Sequence, residues 1–161
     1  MATSSSTDFE PTVTEFIEEA FERCGLELRT GYDLKTAKRS INLMLAEWAN
    51  RGLNQWTIDQ GTQTVTQGTT EYTLNSNIID ILDLVVRRTV SNTQTDISIS
   101  RIGRSAYLNI PNKETQSRPS QYFLDKKIAP VLKIWPAPEN STDILVFNKL
   151  VRMDDADKAT N

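Results

Sequence analysis

The sequence contains no histidine, a single cysteine and no long apolar run. Without histidine the chain lacks the commonest general base, the Ser-His and Cys-His nucleophile pairs and most zinc sites. Cys24 has no second cysteine to bond, which is typical of proteins from reducing compartments. No stretch approaches the ~18 apolar residues that span a bilayer, and the N-terminus lacks the pattern of a signal peptide. Histidine-based catalysis, a disulfide framework and a membrane anchor are therefore not expected.

What the chain does contain is an ordinary balance for a globular protein. Its 161 residues are 38% hydrophobic and 24% charged, with a mean hydropathy of -0.43. The net charge is -3 at pH 7, so the field of the whole molecule does not attract nucleic acid or anionic membranes. No cofactor, metal ion or sequence-specific DNA binding is predicted.

Two amphipathic helices are predicted in the first third of the chain, because apolar residues recur there with helical spacing. The first helix is predicted to begin with a capping box formed by Thr12 and Glu15, and the second with Thr30 as its N-cap. The predicted C-terminal caps of the two helices are Gly25 and Gly52. The helices are expected to form a hairpin or a flap over a sheet. Their apolar stripes are Val13, Phe16, Ile17, Ala20, Phe21 and Cys24, then Leu34, Ala37, Ile41, Met44, Leu45 and Trp48.

Beyond the helices the apolar period changes to two, which predicts β-strands. The segment 64–74 predicts a hairpin that turns at Gly68, and 78–90 predicts a long strand. One face of this strand is predicted to hold Leu82, Leu84 and Val86. Further strands are predicted at 96–102, 121–125, 131–135 and 144–151, with a short helix at 104–108.

The predicted fold class is therefore α+β: an N-terminal amphipathic α-helical hairpin followed by an antiparallel β region with a short helix. One domain is expected to contain both parts. Its predicted divisions are a flexible tail over 1–10, a helical part over 11–53, a β-rich part over 54–152 and a polar tail over 153–161.

Opposite charges follow the two predicted helices. The acidic residues are Glu15, Glu18, Glu19 and Glu22, and the basic residues are Lys35, Lys38 and Arg39. These stripes could pair between neighbouring copies, as unlike surfaces do when a ring closes. Alternatively they pair within one subunit or keep the chain soluble, since exposed ion pairs contribute only ~0–1 kcal/mol each. The residues alone favour the second interpretation.

No catalytic residue is predicted, and the chain is not expected to be an enzyme. A glycosidase-like site needs two carboxyls that converge across a cleft, whereas the four glutamates share one exposed helix face. Asp80 and Asp83 interrupt an apolar stretch and are predicted to mark a strand edge or a turn.

Three residues of the β region are candidate contacts with a partner protein: Trp135, Arg87 and Arg118. Trp135 ends a strand beside a proline-rich loop, and exposed aromatics favour interfaces. Trp48 and Trp56 are predicted to be core or interface anchors, with core favoured for Trp48. Alternation sends Arg87 and its neighbour Arg88 to opposite faces, which argues against a single phosphate-binding patch.

An ordered series of short motifs carries a family resemblance from about residue 11 to 151. The motifs are IEEAFERCG (17–25), LRTGYD (28–33), AKRSINL (37–43), EWANRG (47–52), DILD (80–83), RI (101–102), IPNK (110–113), RPSQ (118–121) and IWPAP (134–138). Together they resemble the head-to-tail adaptor proteins, also described as portal accessory or packaged-DNA stabilisation proteins, of short-tailed, podovirus-type bacteriophages.

The resemblance implies a virion protein of the tail or neck that is assembled in the host cytoplasm. It implies a ring, typically of twelve copies, between the portal protein and the distal tail (nozzle), with tail fibres as further partners. Such a ring retains packaged double-stranded DNA and forms part of its ejection channel without reading its sequence. With a ring expected, we interpret the opposite helix charges as subunit contacts. Chains of this type usually continue with a further helical segment, so no portal-docking residue is assigned.

Two other functions stay open at this point. A tail-associated peptidoglycan hydrolase would need two carboxyls ~5–10 Å apart across a cleft. A module that binds tail fibres would need the loops at 91–95 and 136–142 to project outward.

Overall fold

The structure, a computed structural model, describes residues 11–28, 30–53 and 57–156. The chain divides into two compact units, one of Met1–Leu53 with Met153–Asn161 and one of Asn54–Arg152. Over the described residues the first unit contains two helices, and the second contains eight strands and a short helix. The α+β prediction is confirmed.

Helix α1 spans Val13–Arg23 and begins with the predicted capping box. The Thr12 hydroxyl accepts from the backbone N–H of Glu15, whose carboxylate accepts from the backbone N–H of Thr12 at 2.6 Å. Gly25 follows the helix with φ +71°, the left-handed conformation that favours glycine. The apolar stripe of the first helix predicts that Cys24 packs against other residues. This prediction is wrong, because the helix ends one residue earlier and Cys24, as its C-cap, is exposed.

Helix α2 spans Gly31–Asn50, with Thr30 as its predicted N-cap and Gly52 beyond its end at φ +78°. No residue of this 20-residue helix is buried. The apolar stripe is only half-covered, and Trp48 is 41% exposed, so the prediction of a core tryptophan is wrong. Periodicity identifies the apolar face of a helix but does not show that a partner covers it.

The other unit is built from two four-stranded sheets. Its strands are β1 (Ile58–Thr64), β2 (Glu71–Thr73), β3 (Ile78–Val90), β4 (Thr93–Ser98), β5 (Ser100–Arg101), β6 (Gln121–Asp125), β7 (Val131–Trp135) and β8 (Ile144–Val151); its helix α3 is Arg104–Leu108. The strand order is β1-β8-β3-β4 in the first sheet and β2-β7-β6-β5 in the second. The pairing is antiparallel as predicted, apart from the short parallel pair β5–β6.

The predicted hairpin over 64–74 is wrong, although its turn is present. Gly68 has φ +75° in a turn, but β1 pairs with β8 in the first sheet and β2 pairs with β7 in the second. The connection between them therefore crosses from one sheet to the other. Tyr72 holds it in place, because its hydroxyl donates to the carbonyl of Thr69 at 2.9 Å. Alternation predicts an extended strand but does not identify its partner.

Strand β3 has two irregularities in its pairing with β8, one between Ile78 and Asp80 and one between Ile81 and Asp83. Each β-bulge shifts the alternation of the side chains, and the two aspartates flank these bulges. Leu82 is consequently 44% exposed, contrary to the prediction, whereas the other two residues of the predicted face are buried. The buried residues of β3 are Ile78, Ile81, Leu84 and Val86.

The inner faces of both sheets contribute to one hydrophobic core. The first sheet supplies the four buried residues of β3 with Leu145 and Phe147, and the second supplies Tyr72, Tyr122, Leu124, Leu132 and Ile134. Burial of these side chains stabilises the sandwich by roughly 1.5–3 kcal/mol for each large aliphatic residue. The sandwich therefore has a complete core of its own.

Some predictions lie outside the described residues: the flexible tail over 1–10, the role of Trp56 and residues 157–161 of the polar tail. That the helical and β-rich parts act as one domain stays a prediction.

Gly61 provides a test of the packing in the first sheet. A Cβ atom at Gly61 would lie 2.7 and 2.9 Å from two ring atoms of Phe147, closer than such contacts allow. We expect Gly61→Ala to destabilise the protein by about 1–3 kcal/mol through overpacking, measured by urea unfolding.

Gly103→Ala is the matched control, because nothing lies within 4 Å of the added methyl group. Adding Phe147→Leu to Gly61→Ala should restore part of the lost stability. Equal unfolding midpoints for the Gly61 and Gly103 variants would show that the ring does not pack on the glycine.

Candidate assembly surfaces

The four glutamates of α1 form an exposed surface, which we call the acidic face: Glu15, Glu18, Glu19 and Glu22. Two of its members already have local partners. Glu15 belongs to the capping box, and Glu19 accepts from Arg23 one turn later, at 2.6 Å. Glu18 and Glu22 make no ion pair with another described residue and are available for an external contact.

The basic residues of α2 converge on one open groove along the helix. Spacings of three and four residues place them on one side, as predicted. We call this surface the basic groove; its lining is Gly31, Leu34, Lys35, Lys38, Arg39, Asn42 and Leu43. Lys35 and Arg39 are exposed, and Leu43 is 65% exposed beside them. The groove thus combines positive charge with uncovered apolar surface.

Further apolar side chains of the helical unit are exposed to a degree unusual for their size. Tyr32 is 75% exposed and Phe16 is 59% exposed, whereas Ile17 is the one buried residue of α1. The others that are more than two-fifths exposed are Leu26, Leu43, Met44, Trp48 and Leu53. Large apolar surfaces on a soluble protein mark sites of interaction.

The arginines of the sandwich do not form a common patch. Each of four is paired with a carboxylate of the same unit. The pairs are Arg87 with Asp96 (2.8 Å), Arg88 with Asp143 (2.8 Å), Arg101 with Asp80 (2.9 Å) and Arg104 with Asp125 (2.7 Å). Hydrogen bonding from the arginine is the main cause of the lowered pKa at Asp96 and Asp143. At Asp125 the main cause is Lys127, with Arg104 adding to it, and at Asp80 hydrogen bonds from Lys126 and Arg101 lower the pKa against the effect of burial.

The Asp143 carboxylate is the centre of the most buried of these clusters. Asp143 is 3% exposed and accepts hydrogen bonds from Arg88 and from the side-chain amide of Asn140. Arg88 also pairs with Glu139 at 3.0 Å. Hydrogen bonding from Arg88 holds the pKa of Asp143 below its usual range despite burial. No sequence pattern predicted a role for Asp143; its one local signal is the Asn140 turn that precedes β8.

The candidate partner contacts of the sandwich lie in different surroundings. Trp135 is half-buried, and its indole N–H donates to the carbonyl of Asn112 at 2.9 Å. Arg118 is exposed, and its charge contributes to the lowered pKa of Asp143. Arg87 is held instead by its pair with Asp96. That these three residues meet a partner stays a prediction.

Among the described residues there is no group of three or more His, Cys, Asp or Glu side chains placed to hold a metal ion. Over the same residues no helix combines the length and apolar character that crossing a membrane requires.

The family model of the SU10 adaptor protein matches residues 11–160, which is nearly the whole chain. The chain belongs to the SU10 adaptor protein family. It is therefore a phage adaptor protein, a structural component of the virion that associates with other virion components. No curated protein matches the chain. The adaptor's helical unit and sandwich both fall within the matched residues.

The buried Asp143 cluster predicts a pH dependence of stability. The pKa of Asp143 is lower in the folded chain than in the unfolded chain, where it is about 3.9. The ionised carboxylate therefore stabilises the fold above that pH. This stabilisation is lost as the pH falls through the pKa of the folded state. We expect Asp143→Asn to cost about 2–3 kcal/mol at pH 7, because it leaves Arg88 poorly paired. Its stability should also fall less steeply below pH 4 than that of the unmodified adaptor.

Asp96→Asn is the control, since Asp96 also has a lowered pKa but forms a surface pair with Arg87. This substitution should cost much less stability than Asp143→Asn, because solvent screens a surface pair. Urea unfolding between pH 3 and pH 7 measures both variants; equal losses would show that burial of Asp143 adds nothing.

Proposed function

We propose that the adaptor is a non-enzymatic ring subunit that joins the portal to the distal tail of a podovirus-type phage. In this proposal about twelve copies form a closed ring, as in the proteins that the chain resembles. Each subunit contacts the next one head to tail, so that two unlike surfaces meet at each subunit junction. The ring retains packaged DNA and forms part of the channel through which the DNA leaves. The uncovered helical unit is the observation that carries the proposal.

Helical surfaces of this kind need a partner. Isolated helices of 11 and 20 residues are marginal in water and depend on packing of their apolar face. The contact between α1 and α2 buries Ile17 but leaves Phe16, Leu43 and Trp48 largely exposed. At roughly 25 cal/mol per Å² of apolar surface, covering several such side chains gives an association a substantial favourable contribution.

A second copy of the adaptor fits this surface by charge. The acidic face lies on α1 and the basic groove on α2, so every copy has one surface of each sign. Opposite signs on different surfaces of the same chain favour a head-to-tail contact over a contact between two like surfaces. The exposed Glu18 and Glu22 can thus meet the exposed Lys35 and Arg39 of a neighbour.

The direction of the pKa shifts of the aspartates supports a structural role for the chain and not hydrolysis of peptidoglycan. A general acid requires a carboxyl group with a raised pKa. The described aspartates with shifted pKa values, Asp59, Asp80, Asp96, Asp125 and Asp143, all have lowered ones because cations lie beside them. Paired carboxylates with lowered pKa values stabilise a fold but do not donate protons near neutral pH.

The charge distribution also supports passage of DNA without adhesion. Affinity for DNA grows with each lysine or arginine that neutralises a phosphate. Four arginines of the sandwich are already paired with carboxylates, and the chain as a whole has a charge of -3. A channel lined by such subunits would make few contacts with the DNA phosphates, so the duplex could slide through the ring.

A charge exchange tests the ring and its proposed junction. One variant combines Lys35→Glu with Arg39→Glu, and a second combines Glu18→Lys with Glu22→Lys. Each alone places like charges at every junction, which costs several kcal/mol, so neither should assemble. An equal mixture should form rings in which the two variants alternate. Native mass measurement of the purified chains, with and without portal, reports the result.

Asp83→Lys with Glu114→Lys is the control, because both side chains are exposed, neither forms an ion pair with another described residue, and together they change the net charge of the chain by the same amount as the second variant. It should assemble normally. Rings formed by either helix variant alone would overturn the proposed junction. A wild-type chain that stays monomeric with and without portal would overturn the ring itself.

A further inference from the structure

The first sheet of the sandwich ends in two long strands with open edges. β1 lies at one end and β4 at the other, with β8 and β3 between them. An edge strand presents unpaired backbone N–H and C=O groups that can pair with another strand. Nearly every residue of both strands is exposed, so these edges are accessible.

The backbone groups that point outward follow from the pairing pattern. Val65 donates to the carbonyl of Asp143, and Val151 donates to that of Thr57. The backbone N–H and C=O groups of the odd-numbered residues of β1 therefore point toward β8, and those of the even-numbered residues point away from the sheet. The backbone N–H of Ile99, which follows β4, donates to the carbonyl of Leu84 in β3. In the same register the odd-numbered residues of β4 bond to β3, so the backbone groups of its even-numbered residues point away from the sheet. The outward residues are Ile58, Gln60, Thr62 and Thr64 on β1, and Gln94, Asp96 and Ser98 on β4. Two of the outward groups on β1 have local side-chain partners, because the Gln60 N–H donates to the Asp59 carboxylate and the Thr64 carbonyl accepts from the Gln63 amide.

Both strands lack most of the features that usually protect an edge. Charged side chains, short strands, proline and bulges prevent edge-to-edge pairing in natural sheets. β1 and β4 contain no lysine or proline, their pairing is continuous, and the one charged residue of each strand is paired with a cation of the same sheet, Asp59 with Lys149 and Asp96 with Arg87. The second sheet contrasts with this, because its edge strands β2 and β5 are only three and two residues long. The first sheet is thus open to pairing at both ends.

We propose that β4 of one adaptor subunit pairs with β1 of the next, so that the first sheet continues across the subunit junction. All pairs in this sheet are antiparallel, which makes the directions of β1 and β4 opposite. A neighbour placed head to tail therefore presents its β1 antiparallel to β4. The two strands also match in length, with seven and six residues.

This inference rests on the proposed ring and specifies part of its junction. Two unlike edges on one subunit supply the heterologous contact that a closed ring needs. Pairing of β1 with β1, or of β4 with β4, would instead produce closed dimers. The backbone supplies the hydrogen bonds, so this contact is independent of the helix charges and is tested separately.

Thr62→Pro tests the proposed pairing, with Thr62→Val as its matched control. The Thr62 N–H points away from β8, so proline leaves the intramolecular ladder intact but removes a donor from the outer edge. Gln94→Pro against Gln94→Ala makes the same test on β4. We expect each proline variant to raise the concentration needed for half-assembly by about ten-fold or more relative to its control, with unchanged circular dichroism of the monomer.

Amide hydrogen exchange of the unmodified adaptor tests the pairing without any substitution. The N–H groups of Thr62, Thr64, Gln94 and Ser98 should exchange at least about ten-fold more slowly in the ring than in the monomer. Rings that leave these amides unprotected and tolerate both prolines would overturn the strand pairing but leave the proposed function standing. Closed dimers with protection on one edge strand alone would overturn the head-to-tail arrangement. Absence of rings from the wild-type adaptor, with and without portal, would overturn both proposals.

Discussion

Pairing of β8 with both β1 and β3 is the constraint on which the first sheet depends. β8 is the last strand among the described residues, yet it lies between two strands that end more than 50 residues before it in the sequence. Its Leu145 and Phe147 enter the core, and the Phe147 ring lies against Gly61 of β1. Because β8 and β3 occupy the middle, β1 and β4 become the edges. The open edges are therefore a direct consequence of this long-range pairing.

The two units of the adaptor differ in how fully they satisfy their own interactions. The sandwich encloses one hydrophobic core and pairs four of its arginines with its own aspartates. The helical unit has capped helix starts and an ion pair within each helix, but several of its large apolar side chains are exposed. The sandwich is thus complete in itself, whereas the helix pair leaves apolar surface uncovered. The unlike surfaces on the helices and the unlike edges of the sheet both favour head-to-tail association.

Local signals in the sequence were sufficient for many elements. Capping residues and glycines predicted the ends of α1 and α2, and α3, β6, β7 and β8 lie where apolar patterns and prolines indicated. For the candidate site, helical spacing correctly grouped Lys35, Lys38 and Arg39 on one side of α2. These features depend on residues within one or two turns of each other, so the sequence contains the relevant information.

By itself, then, the sequence determined the class of fold, most element boundaries and the placement of charge on each helix. The tertiary structure alone decided which sheet each strand joins, that bulges turn Leu82 outward, and that Trp48 and Cys24 stay exposed. It also decided that Asp143 is buried with Arg88, 55 residues away in the chain. Periodicity specifies which face of an element is apolar, but burial and pairing depend on distant segments whose approach no local pattern encodes.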